Sequence, residues 1–424
     1  MSLDLRSKTV TVIGAARSGQ AVAKTVQARG GKAKISEYKT KEAMGPLLGD
    51  MSWVKDVPIE WGGHTKEFIV QSDLVVLSPG VRQDIDPVRW AREAGIEVMG
   101  EIEFAYRLCP CPIVAVTGSN GKTTTATLIA QVLQAAGRRV CLCGNIGSPF
   151  SQHVLGLTPE HTVVLEVSSF QLESTRTFKP HIAVWLNFSQ NHLDRHKDME
   201  EYFQAKAMLL QNQGRQDVAI LNSFCPQMVD LSKTIAARVV FFNEAANSQQ
   251  RNPNEQAVVA TALALGIPES VCDEVFAAFH GVEHRQEFVR TLNGVDYVND
   301  SKSTTPEAGR YALEGARKPL VMICGGSDKH LEFVSLRDLV KEKVKHLIVF
   351  GQTKELLRKT FHGIVPIEVC DSLEDAVMFA KRCANPGDQV ILSPMCASFD
   401  MFQNFEHRGR VFKTIVLGLR PDEE

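Results

Sequence analysis

The sequence predicts an α/β protein of three modules, each a mostly parallel sheet flanked by helices. Three observations carry that reading. Short apolar runs ending in glycine or a polar turn alternate with helical stretches along the chain, which is the pattern of βα units. The chain has 424 residues, and single cores stop growing near roughly 250–300 residues, so more than one domain is needed. Two strand-to-helix turns, at Gly14–Gly19 and Gly118–Thr124, are rich in small residues, as expected where a strand hands over to a helix beside an anion.

The first module, residues 1–100, opens with TVTVIG (9–14). A helix runs from Arg17 to Ala28, followed by strands KAKISE (32–37), LVVLSPG (74–80) and IEVMG (96–100). The central module, 101–281, starts with the strand PIVAVTG (112–118) and a helix from about Thr123 to Ala136, stopped by Gly137. Strands VCLCG, TVVLEVSS, HIAVWLN and VAILN follow, and residues 199–212 read as a helix capped by Asp198. The third module, 282–424, begins with FVRTLNGVDYVND, a hairpin turning at Asn293-Gly294. Strands PLVMICGG, HLIVFG, VPIEVC and DQVILSP then alternate with helical segments.

Composition excludes several classes of function. Apolar residues make up 44%, charged residues 23% and the net charge is −2, so nothing points to nucleic acid or a membrane surface. No apolar run reaches the ~20 residues a bilayer needs, and MSLDLRSKTV lacks the apolar core of a signal peptide. A cytoplasmic protein is expected, with its 10 cysteines as free thiols. The C-x-C pairs Cys109/Cys111 and Cys141/Cys143 do not have a usual zinc spacing.

The sharpest local signal is Gly118-Ser119-Asn120-Gly121-Lys122-Thr123-Thr124, between an apolar strand and a helix. Backbone N–H groups of such a turn face an anion and the helix dipole adds to the attraction. Lys122 would neutralise β/γ-phosphate charge and Thr123 would ligate Mg²⁺. The full P-loop pattern would need glycine at 116, where this chain has Val116. Glu166 ends the apolar run TVVLE. A carboxylate there is costly unless paired or metal-bound. Lys206 lies on the apolar stripe of Tyr202 and Phe203. From spacing alone it either snorkels to water or sits buried as a neutral amine, and a neutral amine can take up CO₂ as a carbamate. His192, in Asn191-His192-Leu193-Asp194-Arg195-His196, follows the strand HIAVWLN. It is either structural or placed for a second metal or a phosphate.

The flanking modules carry weaker signals. Gly14-Ala15-Ala16-Arg17-Ser18-Gly19 approaches a dinucleotide fingerprint with Ala16 in place of the second glycine, and Glu37 ends the next strand, where an acid meets a ribose hydroxyl. In the third module Asn299–Thr304, Gly325–Lys329 and Ser393–Asp400 gather polar groups at strand ends, with His284-Arg285 at its start. Strand carboxyl ends are where open α/β sheets bind ligands.

Taken in order, TGSNGKTT, CGNIG (143–147), LEVSSFQLE (165–173), NHLDRH, NDSKSTTPEA (299–308), GGSDK and SPMCASFDMFQNFEHRG (393–409) resemble the Mur ligase family over essentially the whole chain. The resemblance implies a Rossmann-like N-terminal domain, a central P-loop mononucleotide-binding domain and a doubly wound Rossmann-like C-terminal domain. It implies an ATP-dependent ligase of peptidoglycan precursor synthesis, which joins D-glutamate to UDP-N-acetylmuramoyl-L-alanine through an acyl phosphate. ATP and two Mg²⁺ ions, replaceable by Mn²⁺, would be the cofactors and a monomer the working form. Ala15, Ala16, Arg17, Ser18, Gly19, Glu37 and Gly80 would hold the UDP part, and Asn145 and His192 the muramyl-peptide side. Gly118 through Thr124 would bind ATP phosphates, with Lys122 and Glu166 among the catalytic groups. Thr123 and Glu166 would hold one metal, and His192 and a carbamylated Lys206 the second. Asn252, Arg285, Asp300 and Lys302 would reach the nucleotide, and Lys329, Ser398 and Phe405 would position D-glutamate. The family's His-Asn-x-x-Asn adenine segment reads Arg251-Asn252-Pro253-Asn254-Glu255 here, so only its first asparagine carries over. The competing readings are a sibling ligase with another amino acid, folylpolyglutamate synthase included, and a nucleotide-regulated binding protein without catalysis.

Overall fold

A computed structural model describes residues 3–48, 54, 57–189, 195–243, 251–279, 281–327 and 331–421. The chain forms two compact units, Met1–Phe279 and His280–Glu424. The first unit contains two sheets. Strands β1 (Thr9–Ile13), β2 (Lys32–Glu37), β3 (Ile59–Trp61), β4 (Leu74–Leu77) and β5 (Glu97–Gly100) form one, in the order β3-β2-β1-β4-β5. All of its neighbours pair in parallel. The second is β6 (Ile113–Thr117), β7 (Arg139–Gly144), β8 (His161–Glu166), β9 (Ile182–Trp185), β10 (Val218–Asn222) and β11 (Arg238–Phe242), ordered β11-β10-β9-β6-β8-β7. It too is parallel throughout.

Burial on both faces explains the unbroken apolar runs of the second sheet. Ile113 and Ala115 of β6 enter one core, while Val114 and Val116 enter the other. Period-2 side chains with helices on both sides leave no polar face. The helix Lys122–Ala135 lays Ala126, Leu128, Ile129 and Leu133 into the second of these cores. The leucine and isoleucine side chains among them each contribute about 1.5–3 kcal/mol by leaving water. The two sheets are tied together inside the unit: Thr25 Oγ1 donates to Ser151 O at 2.7 Å, and Ser151 N donates to Glu101 Oε1 at 2.7 Å.

The second unit holds one sheet, β12 (Glu287–Leu292), β13 (Val295–Asn299), β14 (Leu320–Gly325), β15 (Val344–Phe350), β16 (Ile367–Val369) and β17 (Gln389–Leu392), in the order β12-β13-β17-β14-β15-β16. Only the β12–β13 pair is antiparallel. Its two-residue turn has Asn293 at φ 52° and Gly294 at φ 75°, the left-handed pair that matches strand twist.

Two details differ from the sequence reading. The helix expected over 199–212 ends at Ala207. Leu209 N, Leu210 N and Gln211 N bond to the carbonyls three residues back, so the helix tightens and stops. Strands β3 and β11 complete the sheet edges without having been anticipated; β3 is three residues long and half-buried throughout. All ten cysteines are free thiols. Among the described residues no helix is long and apolar enough to cross a membrane.

Candidate active site

The centre of the site is the turn after β6. Gly118 and Gly121 have φ 157° and 79°, and a Cβ on Gly121 would lie 2.4 Å from Asn254 Oδ1. Gly121 is therefore required twice, by its left-handed backbone and by its neighbour. Asn187, just past β9, clamps the loop. Its Oδ1 accepts from Asn120 N at 2.9 Å, its Nδ2 donates to Asn120 O at 3.1 Å, and its carbonyl accepts from Ser119 N at 3.1 Å. The N-cap of the helix Lys122–Ala135 is Gly121, which has no side chain to cap it, so the helix start meets the loop with its dipole. Lys122 Nζ donates to Gly118 O and Ser119 O at 2.9 and 3.1 Å, and Thr123 is buried beneath.

Lys206 is 1% exposed, which removes snorkelling. Its Nζ donates to Gly118 O at 3.0 Å and lies 4.8 Å above the Tyr202 ring. Burial, and then the nearby Lys122 ammonium, hold its amine well below the usual lysine value. Asp198 starts this helix, accepting from Glu201 N at 2.9 Å. Glu166 is 1% exposed at the end of β8. Its Oε1 accepts from Asn145 Nδ2 at 2.7 Å, and its Oε2 has no hydrogen-bond partner among the described residues. A buried carboxylate oxygen left open fits a cation. His192 and its neighbours Asn191 and Asp194 lie outside the described residues. His196 is buried, with Nε2 2.9 Å from Ser169 Oγ, and burial lowers its pKa.

Next to the turn, a cavity of about 340 Å³ is lined by Gly121, Thr124, Asn252, Asn254, Glu255 and Phe279, among others. Asn252 Oδ1 caps the helix Pro253–Ala264 through Asn254 N and Glu255 N, and Glu255 Oε2 accepts in return from Asn252 N at 3.1 Å. Glu255 is thus partly committed to a capping box.

At the end of β1, Gly19 is held by contact: a Cβ there would lie 1.8 Å from Gly14 O. Ala15 N donates to Glu37 Oε2 at 2.7 Å and Lys39 N to Oε1 at 3.0 Å. Glu37 therefore fastens the turn. Ala15 is buried, Ala16 and Ser18 are half-buried, and Arg17 and Gly80 are exposed. Arg195 joins the two sheets here, donating to Gly80 O and Val81 O at 3.4 Å.

In the second unit, Asp300 accepts from Gln286 N at 3.1 Å and from Ser393 Oγ at 3.0 Å. Burial pushes its pKa up to about 6. Arg285 is exposed, and Lys302 N bonds to His284 O at 3.0 Å. Ser398 is buried, and Phe405 opens the helix Phe405–Gly418 behind the Asn404 cap. Lys329 lies outside the described residues. The group that holds these turns together is Arg408. It is fully buried and donates to Ser301 Oγ, Ser301 O and Cys396 O at 3.0, 2.9 and 3.1 Å, with burial bringing its pKa to about 10.

Asn187, Tyr202 and Arg408 were missed by sequence reasoning. Asn187 ends the HIAVWLN run in a polar amide, a signal that was present. Tyr202 Oη lies 3.3 Å from Ser119 Oγ, and neither it nor Arg408 differs in sequence from an ordinary helix residue.

Comparison with known proteins agrees along the whole chain. Residues 8–100 match the family "Mur ligase MurD-like, N-terminal domain", residues 116–265 the "Mur ligase middle domain" and residues 284–396 the "Mur ligase, glutamate ligase domain". A UDP-N-acetylmuramoylalanine--D-glutamate ligase of Pelotomaculum thermopropionicum is 39% identical, the match covering 99% of this chain and 100% of that protein. Its counterpart from Geotalea uraniireducens is 37% identical over 98% and 99%. In fold, the chain is similar to the UDP-N-acetylmuramate-alanine ligase MurC of Thermotoga maritima, with TM-score 0.59, 16% identity and coverage of 97% and 99%. It is also similar to a pseudomurein peptide ligase of Methanothermus fervidus, with TM-score 0.53, 15% identity and coverage of 98% and 100%. Three family matches in sequence order and relatives sharing more than a third of their residues from end to end mean that the chain belongs to the Mur ligase family, on its MurD-like branch.

Proposed function

We infer that the chain is the ATP-dependent ligase that joins D-glutamate to UDP-N-acetylmuramoyl-L-alanine in peptidoglycan precursor synthesis. The observation that carries the chemistry is that Lys122 and the buried Lys206 both donate to Gly118 O, with Glu166 at the end of the neighbouring strand, opposite Val116. The full-length relatives named for the D-glutamate reaction favour that amino acid over those of the sibling ligases.

A carboxylate is a poor acyl donor because its oxygen leaves badly. In the proposed reaction the L-alanyl carboxylate oxygen attacks the γ-phosphorus of ATP, the bond to the β-phosphate oxygen breaks, and ADP departs. The amine of D-glutamate then attacks the acyl carbon, the bond from that carbon to the phosphate oxygen breaks, inorganic phosphate departs, and the amine gives up a proton to a nearby carboxylate or, when it holds no ion, to His192. Lys122 and the N–H groups of the turn offset the charge of the transferring group. Thr123 and Glu166 would hold one Mg²⁺, and His192 and Lys206 a second; when bound, these ions neutralise phosphate charge. Mn²⁺ would serve in their place. The depressed basicity of Lys206 supports its carbamylation: its neutral nitrogen bonds to the carbon of CO₂ and releases one proton, which turns a buried cation into an anionic oxygen ligand.

The same reading assigns residues 1–100 to the UDP-linked substrate through Ala15–Gly19, Glu37 and Gly80, and residues 101–281 to ATP, with Asn145 facing the acceptor. Residues 282–424 take D-glutamate through Lys329, Ser398 and Phe405, and the nucleotide through Arg285, Asp300 and Lys302, with Asn252 as a further nucleotide contact. A cytoplasmic monomer without nucleic-acid or membrane partners fits this role. The test is phosphate release and product mass with ATP, Mg²⁺ and UDP-N-acetylmuramoyl-L-alanine, offered D-glutamate, L-glutamate, L-lysine or L-alanine. Turnover and a new amide with D-glutamate alone are expected. Turnover with another amino acid would make the chain a sibling ligase, and phosphate release independent of any amino acid would defeat the ligase reading.

A further inference from the structure

Two C-x-C pairs stand in the first unit, and no step of the proposed reaction uses either. Cys141 and Cys143 lie on β7. Cys109 and Cys111 lie between the helix Glu101–Tyr106 and β6, outside any helix or strand. That difference decides what each pair can do. Residues i and i+2 of an extended strand point the same way but stand roughly 6.6 Å apart. A disulfide needs its two Cβ atoms about 3.5–4.5 Å apart, so Cys141 and Cys143 cannot close on each other without unmaking β7. Cys109 and Cys111 are released from that spacing. The chain bends at Cys111, and the two Sγ atoms are 3.5 Å apart. Pro110 between them has a fixed φ, which reduces the freedom lost when the two ends meet.

The two thiols are also unlike. Cys109 is half-buried, whereas Cys111 is buried in the core that takes Ile113 and Phe178. The Cys111 S–H, donating to the Cys109 sulfur, favours the thiolate at Cys109 and holds its own proton more tightly. The thiolate is the nucleophile in disulfide exchange. The pair therefore has an attacking sulfur within reach of solvent and a second sulfur behind it. The backbone here is anchored on both sides: Leu108 packs against the cores of both sheets, and Pro112 O accepts from Val163 N at 3.0 Å.

We propose that Cys109 and Cys111 form a reversible dithiol–disulfide site that reacts with the disulfide of a small thiol, for which glutathione disulfide is the probe. The Cys109 thiolate attacks one sulfur of that molecule, its sulfur–sulfur bond breaks, and one glutathione leaves as the thiolate. Cys111 then loses its proton to solvent and its sulfur attacks Cys109 Sγ. The mixed disulfide breaks and the second glutathione leaves. The protein gives up two electrons and two protons, and the probe becomes two thiols. Excess thiol reverses the exchange, because a disulfide within reach of solvent is the labile kind.

The experiment treats the full chain with glutathione disulfide, blocks the remaining thiols with N-ethylmaleimide in denaturant, and reads each cysteine by peptide mass spectrometry. In the wild type, the peptide carrying Cys109 and Cys111 is expected to lose two hydrogens and all alkylation at both positions. Dithiothreitol should restore both sites. Cys111→Ser should stop at the first step, with one glutathione held on Cys109. Cys109→Ser should leave Cys111 as a thiol under the same treatment. Cys141→Ser should keep the wild-type result, because closure of the loop pair does not involve β7. Full alkylation of Cys109 and Cys111 in treated wild type would overturn the proposal. A cross-linked peptide joining Cys109 to Cys141 or Cys143 would overturn the pairing, and Cys111→Ser without an adduct on Cys109 would overturn the order of attack.

Discussion

The turn after β1 and the turn after β6 share one form, strand to small-residue loop to helix, and differ in the charge that meets the loop. At the first, Glu37 sits on Ala15 N, and the turn's one cation, Arg17, is exposed. At the second, two lysines, Lys122 and Lys206, donate to the same carbonyl, Gly118 O, and Glu166 keeps an open oxygen nearby. A helix start that already holds the protein's own carboxylate suits a ligand that must be positioned. A loop that meets the Lys122 ammonium, with an open carboxylate oxygen on the neighbouring strand to hold a metal, suits one whose charge must be moved. Shared backbone geometry therefore says little about chemistry until the side chains of neighbouring strands are added.

The comparison predicts that changes at the second turn act on catalysis and changes at the first act on substrate binding. The largest effect is expected at Lys206. Lys206→Ala should lower kcat/KM by about 10²–10³, the size of losing one preorganised charged group, and high bicarbonate should restore part of it in a steady-state assay. Loss without any rescue would remove the carbamate. Next, Glu166→Gln should raise the Mg²⁺ concentration for half-maximal rate by about 10–100-fold while UDP binding by calorimetry stays the same. An unchanged Mg²⁺ requirement would take Glu166 out of the metal site.

The third effect is on stability. Lys206 has a depressed pKa in the folded chain and an ordinary one, near 10.5, when unfolded. In the window below the ordinary value the unfolded chain binds the extra proton, so stability rises with pH. Ligand-free protein in CO₂-free buffer should gain up to about 1.4 kcal/mol per pH unit between pH 8 and 10. Lys206→Met should flatten that slope in denaturant titrations, and an equal slope in both proteins would mean the amine is charged when buried. The smallest effect is at the first turn. Glu37→Gln should raise KM for the UDP-linked acceptor by roughly tenfold or less with kcat unchanged. A fall in kcat would break the division between the two turns.

Much of this was legible from residues. Glycine at 118 and 121 before Lys122 marked the strand-to-helix turn, and the stripe of Tyr202 and Phe203 singled out Lys206 while leaving snorkelling and burial both open. Periodicity gave these because burial and helix geometry are local consequences of order in the chain. What was not legible depends on strand order. Asn187 meets Asn120 because β9 lies beside β6. Tyr38 meets His64 because β3 lies beside β2. Arg408 reaches Ser301 across 107 positions of sequence, and no spacing rule covers that distance. The early end of the Lys206 helix, at Ala207, was hidden because its last turn keeps apolar residues while its hydrogen bonds change register.

The central claim is that the turn after β6, and not the one after β1, receives the reacting phosphates. A crystal grown with Mg²⁺ and a non-hydrolysable ATP analogue tests it directly. The β- and γ-phosphates are expected in the Gly118–Thr124 turn within reach of Lys122 Nζ. A triphosphate seated at Gly14–Gly19, with the Gly118–Thr124 turn empty, would contradict it.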